Sequence, residues 1–145
     1  MEITLGRSHI SRFLEQGYLV FPQVFTETEV ALMRSEADRI LELIVNSSLS
    51  TGRTSKRLDL SQNSNGQQMV RKIQPINDLS LYLSRIATDK RLISPLRRLM
   101  NDEPVLMEEK LNYKEPLPDS LVGLQASRSD ATFPIHNDWA YYRSE

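Results

Sequence analysis

An apolar stripe early in the chain governs what the rest can fold into. Val30, Met33, Ala37, Ile40, Leu41 and Ile44 recur at helical spacing, so one face of a helix over residues 26–45 must be covered by another layer. Thr26 and Glu29 open that helix as a capping box: the Thr hydroxyl accepts from the N3 amide while the Glu carboxylate reaches back to the N-cap amide. Strand-like segments follow. Residues 69–74 read as a strand closed by Pro75, and residues 105–113 alternate so that Val105, Met107, Glu109, Leu111 and Tyr113 share one side. Sheet strands are therefore the expected cover for the stripe.

The remaining segments complete an order of helices first and strands later. Residues 8–16 predict a short helix stopped by Gly17, and residues 18–21 a short strand ended by Pro22. Residues 47–68 are rich in Ser, Asn, Gln, Gly and Arg and read as a long loop, which in a compact domain is either functional or disordered. Asn77 or Asp78 caps a helix carrying Leu79, Tyr82, Leu83 and Ile86. A further helix spans residues 90–100, begun or interrupted by Pro95. A Pro- and Ser-rich loop then leads to residue 133. The fold class expected is α+β, with a helical layer on a mostly antiparallel sheet too small to close by itself.

Composition narrows the function. A formal net charge of −1 and an apolar fraction of 39% describe an ordinary globular chain and give no footprint for nucleic acid or a charged membrane. There is no Cys, hence no disulfide and no thiolate metal site. No signal-peptide pattern or membrane-length apolar run is present, so the expectation is a soluble cytoplasmic protein.

The residues with metal chemistry come last. Phe133-Pro134-Ile135-His136-Asn137-Asp138-Trp139-Ala140-Tyr141-Tyr142 places a His and an Asp two residues apart in strand-like sequence. Alternate side chains on a strand project to one face, roughly 6.5 Å apart. An imidazole and a carboxylate so placed can meet one cation, as two members of a 2-His-1-carboxylate set. His-x-Asp is weak by itself, and a hydrogen-bonded strand His beside a turn Asp is the plain alternative.

That segment resembles the first metal motif of the phytanoyl-CoA dioxygenase family. The resemblance continues in family order: Phe13-Leu14-Glu15-Gln16-Gly17-Tyr18-Leu19-Val20 is similar to its opening helix and strand, and Phe25-Thr26-Glu27-Thr28-Glu29-Val30 to its next helix start. Arg71-Lys72-Ile73-Gln74 resembles its basic strand, and Leu111-Asn112-Tyr113-Lys114-Glu115-Pro116 the strand before a Lys-Pro-Pro turn, with Glu115 in place of the first Pro. The resemblance implies an Fe(II)- and 2-oxoglutarate-dependent oxygenase acting on a small organic substrate. The fold it implies is a double-stranded β-helix (a jelly-roll or cupin-like sheet), here incomplete. His136 and Asp138 would be iron ligands. Lys72, and Gln74 on its face, would bind the 2-oxoglutarate cosubstrate.

Lys72 has an equal alternative as a surface Lys whose stem lies along the sheet. Gln74 has one as an ordinary cross-strand hydrogen bond. A regular strand would turn Arg71 away from Lys72. The basic loop residues Arg53, Lys56 and Arg57 read as a solvated surface, Lys114 as a loop residue, and Trp139, Tyr141 and Tyr142 as core.

The family's distal His and Arg have no counterpart here, and the only other His, His9, falls in the first helix. The expectation is that residues 1–145 are the N-terminal part of such a domain, truncated before those residues. No catalytic residue is assigned. An open sheet edge predicts marginal stability or self-association. Two other readings stand beside this one: a catalytically dead remnant or binding module of the same fold, and an unrelated structural protein.

Overall fold

A computed structural model describes residues 3–62 and 65–116. In chain order they form α1 (Arg7–Gln16), α2 (Glu27–Thr51), β1 (Leu58–Gln62), β2 (Gln68–Ile73), α3 (Leu81–Ala87), α4 (Lys90–Met100) and β3 (Leu111–Pro116). The strands make one antiparallel sheet in the order β1-β2-β3. Among the described residues no helix is long and apolar enough to cross a membrane.

Helix α2 organises the packing. Its N-terminus is the expected capping box: the Glu29 amide donates to Thr26 Oγ1 at 3.2 Å and the Thr26 amide to Glu29 Oε2 at 2.8 Å. Ile40, Ile44 and Val45 are buried against Leu58, Leu60, Val70, Ile73 and Ile76. Each such side chain removed from water stabilises the fold by about 1.5–3 kcal/mol. Leu41, Leu79, Leu83, Leu111 and Tyr113 close the rim. Tyr113 also donates its hydroxyl to the Ala37 carbonyl at 2.7 Å, tying β3 to α2.

Helices α2 and α4 are joined at their N-termini by Arg91. Its guanidinium donates to both Glu29 oxygens, at 3.0 and 2.7 Å, and to both Asp89 oxygens, at 2.9 and 2.7 Å. It also lies 4.5 Å from the centre of the Phe25 ring, a cation–π distance. A second clamp forms where β2 leaves the sheet. The Gln74–Pro75 bond is cis, and Arg57 grips this turn, donating to the Pro75 carbonyl at 2.8 Å and to both Asp78 oxygens at 2.7 Å.

Several sequence expectations need correction. Residues 18–21 form no strand: Tyr18 and Val20 are exposed, and no strand pairs with this segment among the described residues. Residues 47–68 are not one loop. Helix α2 runs on to Thr51 because Ser48 caters for itself, donating to the Ile44 carbonyl at 2.8 Å and accepting the Ser55 amide at 3.0 Å. Gly52, at φ 64°, then ends the helix in the left-handed region. Strand β1 follows, with Leu58 and Leu60 in the core.

The strand expected over residues 105–113 begins only at Leu111. Its partner β2 stops at Ile73, so the last rung is Ile73 opposite Leu111, and Val105, Leu106 and Met107 are exposed. Lys114 lies in β3 and not in a loop. Ser80, not Asn77 or Asp78, caps α3, Asp78 being engaged by Arg57. Helix α4 continues through Pro95, which forfeits one bond to the Arg91 carbonyl without ending the helix.

Two tests follow from this packing. Ile40→Ala should cost about 2–5 kcal/mol in chemical denaturation, the range for deleting a buried Ile; a loss under about 1 kcal/mol would contradict the packing. The second is acid sensitivity. The Arg91 hydrogen bonds hold Glu29 down from 4.5 to about 2 and Asp89 down from 3.8 to about 2, helped by the Thr26 amide at Glu29 and the Arg91 amide at Asp89. Groups whose folded value is depressed stabilise the fold above their unfolded value and lose that contribution as pH falls through the folded one. Stability from this clamp should therefore fade between about pH 4.5 and about 2. Arg91→Gln should flatten that acid slope in pH-dependent denaturation. Identical slopes for the two proteins would show that the clamp contributes nothing.

Candidate functional site

The sheet has two unlike faces, and the register defines them. Residues directly opposite in an antiparallel ladder project to the same side. Leu58, Ile73 and Leu111 are paired across the sheet, as are Leu60 and Val70, and these apolar rows face α2. The alternate row carries Asp59, Lys72 and Asn112, and the next pairs Ser61 with Met69. The face turned from α2 is thus polar at its centre.

A bulge in β2 enriches that face. Against β1 the register slips between Val70 and Lys72, which face the adjacent Leu60 and Asp59, leaving Arg71 as an extra residue. Val70 and Ile73 are consequently both in the core, at 1% and 0% exposure, although an unbroken strand would turn residues three apart to opposite faces. The guanidinium of Arg71 pairs with the carboxylate of Asp59, which is the rung partner of Lys72. Arg71 therefore joins Lys72 on the polar face, correcting the expectation that the two diverge.

This face is sheltered. The Arg71 and Asp59 side chains retain 13% and 20% of their exposure, and Ser61 is fully buried with no hydrogen-bond partner for its Oγ among the described residues. A carboxylate and a guanidinium removed from water to this degree hold each other in place, since neither could stay there alone at low cost.

At one end of the face Lys72 and Gln74 come together. Lys72 Nζ donates to Gln74 Oε1 at 3.1 Å, both residues being half-buried. Just before β3, the Glu108 carboxylate accepts from Lys110 Nζ at 2.7 Å. Lys110 foremost, then the charge of Lys72 and the Gln74 amide, hold the Glu108 carboxyl below its ordinary value. The arrangement places two ammonium groups at this end of the sheet, Lys72 held by Gln74 and Lys110 by Glu108. It suits an anion and offers no general base of raised pKa.

His136 and Asp138, with Trp139, Tyr141 and Tyr142, lie outside the described residues. Among the described residues no group of three or more His, Cys, Asp or Glu side chains gathers to hold a metal ion. His9 serves α1, accepting the Gly6 amide at Nδ1 at 3.1 Å. Arg53 and Lys56 are exposed, whereas Arg57 is turned to Asp78, so the basic loop is less basic than its composition suggests. A groove of about 790 Å³ runs along α2 between Val30, Arg34, Asp38 and Arg39, away from the sheet.

Asp59, Ser61 and Glu108 were not anticipated as site residues. The first two had a signal: Leu58-Asp59-Leu60-Ser61 alternates apolar and polar, the pattern of a half-buried strand. Glu108 had none, since its place depends on how residues 101–110 return to the sheet.

No family model matches the chain. It is similar to the ectoine dioxygenase of Stutzerimonas stutzeri (strain A1501), 30% identical over 105 residues that make up 72% of this chain and 32% of that protein. The chain thus spans about a third of the length of the curated relative it matches. A dioxygenase is a distant relative of this chain.

The buried Ser61 hydroxyl gives a test of how dry this face is. Ser61→Ala should leave stability unchanged or raise it by up to about 1 kcal/mol, because it removes an unsatisfied polar group. A loss above about 1 kcal/mol in thermal or chemical unfolding would mean that the hydroxyl has a bonded partner in solution.

Proposed function

We propose that this chain carries the first two iron ligands and part of the cosubstrate site of an Fe(II)- and 2-oxoglutarate-dependent oxygenase of the phytanoyl-CoA dioxygenase type. The complete protein would hydroxylate an unactivated C–H bond of a small organic molecule. The observation that carries this reading is the 105-residue likeness to a dioxygenase. It agrees with the order of motifs in the sequence, from the first helix to His136 and Asp138. Lys72 adds a physical ground: its ammonium stands on a sheltered polar face, beside an amide donor and across the sheet from the apolar core.

When bound, Fe(II) and 2-oxoglutarate together supply the oxidising power, with the oxo acid losing CO₂ to become succinate as O₂ is split between it and the substrate. The roles left to this chain are binding and orientation. His136 offers an imidazole nitrogen and Asp138 a carboxylate oxygen to the metal, two donors of the facial set. Lys72 meets the far carboxylate of the cosubstrate as a point charge, and Gln74 fixes the direction of the ammonium. Arg71, held by Asp59, keeps a second positive charge near without being free to wander. The architecture proposed is the double-stranded β-helix, of which β1, β2 and β3 form one part with α2 on its outer side. A third metal ligand and the family's cosubstrate Arg are not assigned to any of these 145 residues.

A chimera tests the reading, with this chain's matched segment together with its residues 133–142 replacing the corresponding part of the ectoine dioxygenase. Anaerobic addition of Fe(II) and 2-oxoglutarate should give the visible metal-to-cosubstrate absorbance. His136→Ala or Asp138→Ala should abolish it, and Lys72→Met should raise the 2-oxoglutarate concentration required roughly tenfold or more, as for loss of one charged hydrogen bond. A folded chimera that gives no absorbance, or one indifferent to His136 and Asp138, would favour the dead remnant or binding module.

A further inference from the structure

We infer that residues 105–113 are a pairing surface for a second copy of this chain, the two copies joining antiparallel about a two-fold axis through Glu109. This surface involves none of the metal or cosubstrate residues and does not depend on the oxygenase reading.

An open edge and an exposed apolar run meet at this segment. Strand β3 has β2 on one side and no strand on the other among the described residues. Such an edge is a template for another strand. Just before β3, Val105, Leu106 and Met107 are 86%, 49% and 64% exposed, and a contiguous apolar run on a surface marks a contact site. No strand runs beside residues 105–109 among the described residues, because β2 ends at Ile73, opposite Leu111. The run alternates in step with β3. Val105, Met107, Leu111 and Tyr113 fall on one side, and Leu106, Glu108, Lys110 and Asn112 on the other.

What each residue would meet sets the register. With the axis at Glu109, Val105 lies opposite Tyr113 of the second copy and Met107 opposite Leu111. Leu111 and Tyr113 pack on the α2 core, and opposed residues project to one side. Val105 and Met107 would therefore extend that apolar layer past β3. On the polar side Glu108 of each copy meets Lys110 of the other. The pair that each chain makes within itself at 2.7 Å is exchanged for the same pair across the ladder. A slip of one residue would turn the apolar side of each copy to the polar side of the other. An axis at Glu108 would set Met107 against Glu109, and one at Lys110 would set Lys110 against itself. The axis at Glu109 carries one unfavourable contact, Glu109 facing its own counterpart, although each carboxylate also accepts the Asn77 amide at 3.4 Å.

The test is sedimentation velocity of the full 145-residue chain over a concentration series. The native chain should pass from monomer to dimer. Glu108→Lys and Lys110→Glu should each weaken the dimer roughly tenfold or more, because the symmetry reverses two cross-strand pairs at once. An equimolar mixture of the two variants should restore it as a heterodimer in which every Lys again faces a Glu. Misfolding cannot produce that rescue. Glu109→Cys, the sole thiol in a chain without Cys, should link the copies on oxidation. Met107→Cys should not, being roughly 13 Å from its counterpart along the ladder. A native chain that stays monomeric would overturn the pairing and leave the edge to another occupant. Single variants that dimerise like the native chain, a mixture that fails to recover, or a thiol at 109 that does not crosslink would overturn it as well.

Discussion

The contact between α2 and the sheet is the interaction on which the other features depend. Ile40, Ile44 and Val45 on the helix, and Leu58, Leu60, Val70 and Ile73 on the strands, are mutually buried. That contact fixes which side of the sheet is apolar. By the two-residue period of a strand it also fixes which side must be polar. Lys72 faces away from α2 because Ile73 faces toward it. Any slip of β2 by one residue would exchange their positions and bury the ammonium against Ile40.

The bulge at Arg71 modifies this rule where it matters. An extra residue lets two core positions, Val70 and Ile73, stand three apart, and it sends two consecutive cations to the same face. Asp59 absorbs one of them. Without that carboxylate, two positive charges on a sheltered face would repel and at least one would seek solvent. The second cation, Lys72, is held by Gln74 and is left to face an anion. One irregularity in one strand thus turns an ordinary sheet face into a site with a defined charge.

Much of this architecture is legible in the residues. The capping box at Thr26 and Glu29, the stripe through Ile40 and Ile44, and the stop at Gly17 are local patterns whose physics acts over a few residues, and the structure follows them. What escaped were the features set by distant partners. Strand β1 is hidden in a polar stretch because only Leu58 and Leu60 mark it. The start of β3 is decided by where β2 ends, which no property of residues 105–110 reveals. The bulge is invisible for the same reason: Arg71-Lys72 reads as alternating, and only pairing with β1 shows the extra residue. The pairing of Lys72 with Gln74 was legible from their spacing, whereas the link of Arg71 to Asp59 crosses between strands. The metal residues His136 and Asp138 rest on their motif and its resemblance.

The bulge and the face it creates can be measured most directly by cysteine accessibility, since the chain has no native Cys and each introduced thiol is the sole reporter. Val70→Cys, Arg71→Cys, Lys72→Cys and Ile73→Cys would be made singly and reacted with a small thiol reagent under native conditions. The two-faced, bulged sheet predicts that positions 71 and 72 react together and faster, while 70 and 73 react only when the chain unfolds. Strict alternation, with 71 and 73 protected and 70 and 72 reactive, would be the pattern of an unbroken strand and would contradict the account of the site.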